Sequence, residues 1–230
     1  MIHYHGTPIS PVSVLLTLAG KNFCVRHGAA QDVARCHQIG QSVMLDNGAY
    51  SKHTKGKETD WPAYYEWCDK WLGHPTTWAV IPDEIDAGSQ AQDALIREWP
   101  HGQRGAPVWH MSEPVDRLVR LTEAWQRVCI GSTDEYWVIL TDQWRRRMDE
   151  AWNAIAQRHR RLPWIHMLRG MQLSTMEWPF ASVDSTDVAQ NHHREWNNAR
   201  KMADRWDAAQ CPSTWTEKDL NAQPDMLVTA

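Results

Sequence analysis

Three aspartates, Asp46, Asp83 and Asp184, each close a short apolar run, and polar groups suited to chemistry follow other such runs. Asp46-Asn47-Gly48-Ala49-Tyr50 follows Val43-Met44-Leu45, and Pro82-Asp83-Glu84 follows Trp78-Ala79-Val80-Ile81. A further run ends in His110, ahead of Ser112-Glu113; another reaches Gly131-Ser132-Thr133; a third carries His166 and reaches Arg169-Gly170. Asp184-Ser185-Thr186-Asp187 closes the last. Paired carboxylates suit reaction at a sugar anomeric carbon: one attacks C1′ and holds a covalent glycosyl intermediate, while another, with its pKa kept apart by its surroundings, moves the proton. Gly131 would let a substrate approach the backbone closely, and His110, Ser112 or Asp83 could hydrogen-bond a planar heterocycle. Each residue has a plainer explanation too. Asp-Asn-Gly is a ready turn, Asp184 and Asp83 could cap helices, and a lone histidine such as His166 is commonly a hydrogen-bonded core residue.

Joint placement gives these residues meaning, and it depends on the elements that carry them. Eight β-rich runs are expected as strands: Met1–His5, Asn22–Arg26, Ser42–Leu45, Thr77–Ile81, Ala106–His110, Val128–Ile130, Trp164–Leu168 and Phe180–Val183. Several are apolar throughout, as in parallel strands buried on both faces. Amphipathic stretches alternate with them. Trp61-Pro62 opens a helix through Trp71 with Asp60 as N-cap, and helices are predicted over Glu113–Trp125, Gln143–Ile155 and Asp187–Trp206. The pattern predicts an α/β fold, a compact single (β/α)8 TIM-type barrel over residues 1–210, with a polar C-terminal tail over 211–230. An open doubly wound sheet is the rival. No Gly-x-Gly-x-x-Gly turn follows a strand, so no dinucleotide cofactor is expected. In a barrel the strand-end residues would converge on one rim, where several carboxylates are costly without a function.

At 230 residues the chain suffices for one such barrel and is short for two domains. No run approaches the roughly 20 apolar residues of a membrane span, and no secretion signal is seen at the N-terminus. Five scattered cysteines without a Cys-x-x-Cys pair predict neither a disulfide framework nor a thiolate zinc site and fit a reducing cytoplasm. A net charge of −4 argues against strong nonspecific attraction to nucleic acid but permits a local basic face. Arg145-Arg146-Arg147 and Arg158-His159-Arg160-Arg161 are its candidates, though a solvated helix surface explains them as well. Of the fifteen tryptophans, most are expected in the core, while an exposed one could stack on a base.

Asp46-Asn47-Gly48-Ala49-Tyr50 resembles the Asp-Ser-Gly-Gly/Ala-Phe signature of the tRNA-guanine transglycosylases, and is closer still to their relatives, the deazapurine DNA-modification proteins of phages and prophages. Further pieces follow in matching order: Val80-Ile81-Pro82-Asp83, Pro107-Val108-Trp109-His110, Val128-Cys129-Ile130-Gly131-Ser132, Ile165-His166-Met167-Leu168 and Ala181-Ser182-Val183-Asp184-Ser185. The resemblance spans roughly residues 40 to 195. It implies a barrel that breaks an N-glycosidic bond and inserts a 7-deazaguanine-type free base into nucleic acid, DNA in preference to tRNA. It also implies a phage- or prophage-encoded enzyme working in the cytoplasm of a bacterial host. Carried over by position, Asp184 is the nucleophile and Asp46 the general acid/base. Asp83 and His110 read the base, and Asn47, Gly48, Gly131, Ser132 and His166 complete the substrate pocket. The sequence departs from the family at 110, where histidine replaces glutamine, and lacks the Cys-x-Cys-x-x-Cys zinc site. This reading therefore needs no cofactor and no metal.

Two other classes compete. A metal-dependent TIM-barrel hydrolase would use His3, His5, His110, His166 and Asp184 as ligands, and has no need of Asp46. A non-catalytic barrel would bind a nucleobase or nucleic acid without turnover.

Overall fold

In the computed structural model, which describes residues 1–221, nine strands form one parallel sheet that curls into a nearly closed barrel with helices between its strands. The strands are β1 (Ile2–Gly6), β2 (Asn22–Arg26), β3 (Ser42–Asp46), β4 (Thr77–Val80), β5 (Gly105–Ala106), β6 (Val108–His110), β7 (Arg127–Gly131), β8 (Trp164–Met167) and β9 (Ser182–Ser185). Their order is β5-β4-β3-β2-β1-β9-β8-β7-β6, and every pairing is parallel. The two ends of this order are consecutive in the chain. Pro107 has no N–H to give a ladder, so the single strand expected over Ala106–His110 is divided there. Ala106 accepts from Ile81 N on one side (2.9 Å) and Pro107 from Cys129 N on the other (2.8 Å). Eight staves thus surround the axis.

The helices are α1 (Val12–Leu16), α2 (Val33–Ile39), α3 (Ala49–His53), α4 (Trp61–Trp71), α5 (Ser89–Glu98), α6 (Val115–Ala124), α7 (Asp142–Arg158), α8 (Asp187–Asn191) and α9 (Ala199–Ala208). The one long helix expected over Asp187–Trp206 is two. The chain turns between them, with Trp196 at φ +71°, and Asn198 restarts the helix by accepting from Lys201 N. Asp60 caps α4 as expected, accepting from Ala63 N at 3.0 Å. Asp60→Ala is expected to cost about 1 kcal/mol, read as a lower urea midpoint with an unchanged slope.

Period-two alternation divides the core. Tyr4, Cys24, Met44, Trp78, Val80, Ala106, Val108 and Cys129 fill the barrel interior. Tyr4 Oη accepts from the Trp78 indole at 2.9 Å, which gives the buried indole N–H its partner inside the barrel. The outward residues pack under the helices. There Trp109, Trp144, Trp152 and Trp178 are wholly buried against β6–β9 and α7. Each such ring removes roughly 150–250 Å² from water, about 4–6 kcal/mol before entropy. The expected polar tail over 211–230 is docked over its first part: Trp215 packs on Trp152 and donates to Asn153 Oδ1, and Lys218 pairs with Asp149 and Glu177. Residues 222–230 lie outside the described residues. All five cysteines are unpaired, and among the described residues no helix is long and apolar enough to cross a membrane.

Candidate active site

The last inward position of seven staves is Gly6, Arg26, Asp46, His110, Gly131, Leu168 and Asp184, and all seven line one cavity of about 620 Å³ at the C-terminal mouth of the barrel. Asp83, just beyond β4, joins them. That volume lies within the range of small-molecule sites. The strand-end residues therefore meet as the barrel reading expects. Asp184 lies inside β9, two residues earlier in its strand than the sequence suggests, and its inward direction follows from alternation with the outward Val183.

Asp83 is held from two sides. Asn47 Nδ2 donates to its Oδ1 at 2.7 Å, and His110 Nε2 lies 2.8 Å from its Oδ2. Asn47 also donates to Ile81 O (2.8 Å) and accepts from Ala49 N (2.9 Å), so it ties the β3 turn to the β4 turn and orients Asp83. Gly48, at φ +77°, permits that turn. His110 is braced in turn: Glu113 Oε2 accepts from His110 N (2.9 Å) and from the fully buried Arg117 (2.7 Å). Burial alone would lower the His110 pKa, but the Asp83 hydrogen bond and the charges of Asp83 and Glu113 outweigh it and raise it.

Asp184 Oδ1 accepts from Arg169 N at 2.8 Å and lies 3.2 Å from His166 Nε2. Ser182 Oγ lies 2.8 Å from His166 Nδ1 and fixes that ring. Oδ2 of Asp184 has no protein partner among the described residues. Asp46 differs: the only hydrogen bond to its carboxylate among the described residues is a long one from Gly48 N, 3.3 Å. Burial first, then the negative charge of Asp184, raise its pKa from the usual carboxylate value to about 7, with Gly48 and Arg26 opposing. Two carboxylates at one mouth thus have unlike surroundings. Cys24 also lines the cavity, but burial and then the charges of Asp184 and Asp46 push its thiol well above its usual value, which disfavours a thiolate nucleophile.

The other expected residues divide. Gly131 lies against His110: a Cβ there would sit 3.3 Å from His110 Cδ2 and 3.4 Å from Val108 Cγ1. Ser132 lines the cavity, yet its hydroxyl accepts from the Trp144 indole (2.9 Å), tying it to the framework. Ser112 does not line the cavity and faces Thr133. The rim holds a cluster not foreseen in the sequence. Tyr50 and Trp137 stack with centroids 5.4 Å apart, and the Arg169 guanidinium lies over both rings, 4.0 and 4.9 Å from their centroids. The three bridge the β3 and β7 loops across the mouth. Tyr50 and Arg169 stood in the strand-end segments, but nothing in the sequence paired them with Trp137.

The five-residue metal constellation does not form. His3 and His5 alternate with the inward Tyr4, so they leave the barrel on its outer side, where His5 Nε2 lies 3.3 Å from Asp207 Oδ1 of α9 and His3 Nε2 lies 3.0 Å from Ser174 Oγ in the segment between β8 and β9. His110 and His166 stay inside, each on a different aspartate. Among the described residues no three histidine, cysteine or acidic side chains gather as a metal site. The arginine groups serve the framework in part: Arg147 binds the carbonyls of Met111 and Glu113 and pairs with Glu150, and Arg145 binds Leu140 O. Compared with known proteins, the chain matches no family model, no curated protein and no solved structure.

Proposed function

We propose that the protein is a base-exchanging transglycosylase acting on the N-glycosidic bond of a guanine-type nucleotide in DNA. The observation that carries this reading is the pair of unlike carboxylates at one barrel mouth, Asp184 with one oxygen pinned and the other unpartnered among the described residues, and Asp46 with its pKa near 7. Asp184 Oδ2 attacks C1′, the bond to the base nitrogen breaks, and Asp46 delivers the proton that the departing base takes up. A 7-deazaguanine-type base then enters, loses its proton to Asp46, and displaces Asp184 from C1′. Asp83, oriented by Asn47 and held by His110, offers carboxylate oxygens that can accept further hydrogen bonds from the polar edge of a purine-like ring, and Gly131 leaves room beneath it. The target base must leave its stack to enter so deep a pocket. The resemblance of the strand-end motifs to the transglycosylases agrees with this assignment of roles, and makes a phage or prophage origin and a cytoplasmic setting part of the same proposal.

Incubation with single-stranded or duplex DNA and labelled 7-deazaguanine bases should give incorporation of label and release of guanine. Tight base binding with neither exchange nor adduct under any condition would instead identify a non-catalytic barrel. Gly131→Ala, which presses on His110 by a few tenths of an ångström, is expected to raise the KM for the incoming base about tenfold with the melting temperature nearly unchanged. An unaltered KM would place the base elsewhere.

A further inference from the structure

A second, smaller cavity of about 170 Å³ opens beside the first and shares Arg26, Asn47, Ser51 and Lys55 with it. Among the described residues its lining holds five basic side chains, Arg26, His27, Lys52, Lys55 and Lys57, and no acidic one. Local geometry gathers them. Arg26 ends β2 and is paired in register with Asp46, while the turn after α3 folds back so that Lys57 N donates to Lys52 O (2.9 Å), with Gly56 at φ +59°. Elsewhere the buried or half-buried lysines are neutralised: Lys21 pairs with Asp204 and Asp207, Lys218 with Asp149 and Glu177. No ion pair engages Arg26, Lys52, Lys55 or Lys57 among the described residues. Crowded like charge raises the energy of the free protein and is relieved by an anion. Burial, followed by the charge of Lys52, lowers the His27 pKa, which leaves that ring a neutral hydrogen-bonding group.

We propose that this basic annex binds the phosphate ester carried by the sugar whose glycosidic bond the aspartates attack. The inference rests on the base-exchange reading and assigns the residues that hold the phosphate of that nucleotide. A sugar with C1′ between Asp184 and Asp46 has the annex as its neighbour, since Arg26 lines both cavities. An acidic protein thus needs no general basic surface to hold nucleic acid; Arg26, Lys52, Lys55 and Lys57 place four cations in one cavity beside the reacting centre.

The test measures binding alone, so failure of exchange activity leaves it standing and its own failure leaves exchange untouched. A fluorescein-labelled, guanine-containing single-stranded oligodeoxynucleotide is titrated across a salt series against wild type, Lys52→Gln/Lys57→Gln, and the charge-matched Arg160→Gln/Arg161→Gln. The lysine pair is expected to weaken binding about tenfold and to flatten the slope of log affinity against log salt by about 0.7 for each phosphate left without its lysine. The arginine pair should change affinity less than about twofold. Competition with deoxyguanosine and its 5′-monophosphate separates the sources: a monophosphate advantage abolished in the lysine variant marks a terminal phosphate, and sensitivity of the oligonucleotide alone marks an internal diester. Equal weakening in the two double variants, or no change in the lysine variant, would overturn the proposal.

Discussion

Asp184→Asn is expected to abolish the covalent adduct and cut base exchange by about 10⁴-fold or more. Asparagine keeps an oxygen at Oδ1, so the bonds from Arg169 N and His166 Nε2 persist, and the fold should melt within a few degrees of wild type. The atom that changes is the one without a protein partner among the described residues. An amide nitrogen at that place has no lone pair free to attack C1′, while base binding by Asp83 and His110 is left in place. Wild type mixed with guanine-containing DNA, quenched in acid and weighed as intact protein should carry the mass of a linked strand, and the variant none. Adduct formation by the variant at a rate within tenfold of wild type would remove Asp184 from the nucleophile's role and with it the mechanism. The same variant has a second consequence. It removes the negative charge that is the second cause of the raised Asp46 pKa, so that pKa should move down toward the ordinary value. Carboxyl-selective 13C spectra across pH read that shift without any turnover.

Much of this site was visible in the sequence because strand ends in a parallel barrel are marked by an abrupt change from apolar to polar residues. Val43-Met44-Leu45 followed by Asp46, and Trp78 to Ile81 followed by Pro82-Asp83, locate two rim positions to within a residue. Direction was harder. Strict alternation says that His3 and His5 share a face, but only the packing of Tyr4 against Trp78 shows that this face is the outer one. Pro107 was a readable warning that the fifth stave would lose a ladder bond, and Asn198 a readable cap that divides the last helix. The rim is different in kind. Tyr50, Trp137 and Arg169 come from the separate segments that follow β3, β7 and β8, and their stacking depends on how those segments fold over the mouth. Charge misled in the same way: contiguous arginines on α7 bind local carbonyls, whereas Arg26 and the three spaced lysines, which no run brings to notice, share one cavity.

Asp46→Asn carries the second large effect, and it has opposite signs for activity and stability. With a folded pKa near 7 and an ordinary unfolded value, Asp46 is protonated in the native state and ionised in the unfolded chain between roughly pH 4 and pH 7. The unfolded state then binds fewer protons, so stability falls as pH rises through that window; it is fully present below the unfolded pKa and lost once the folded pKa is passed. About three pKa units correspond to roughly 4 kcal/mol as an upper bound. Asparagine carries no charge to desolvate, so the variant should be more stable than wild type at pH 8 by roughly 2–4 kcal/mol, with the difference vanishing near pH 4. Denaturant midpoints at the two pH values measure it. Activity should move the other way, since the departing base loses its proton donor: adduct formation falls by about 10²–10⁴-fold. In wild type the adduct step should decline above pH 7, tenfold per unit, as Asp46 ionises. Once Asp184 is esterified its charge is gone, which lowers the Asp46 pKa and converts the same carboxyl into the base that the incoming nucleobase requires. A variant that is no more stable at pH 8 and exchanges base at the wild-type rate would show that Asp46 neither bears the burial cost nor moves the proton.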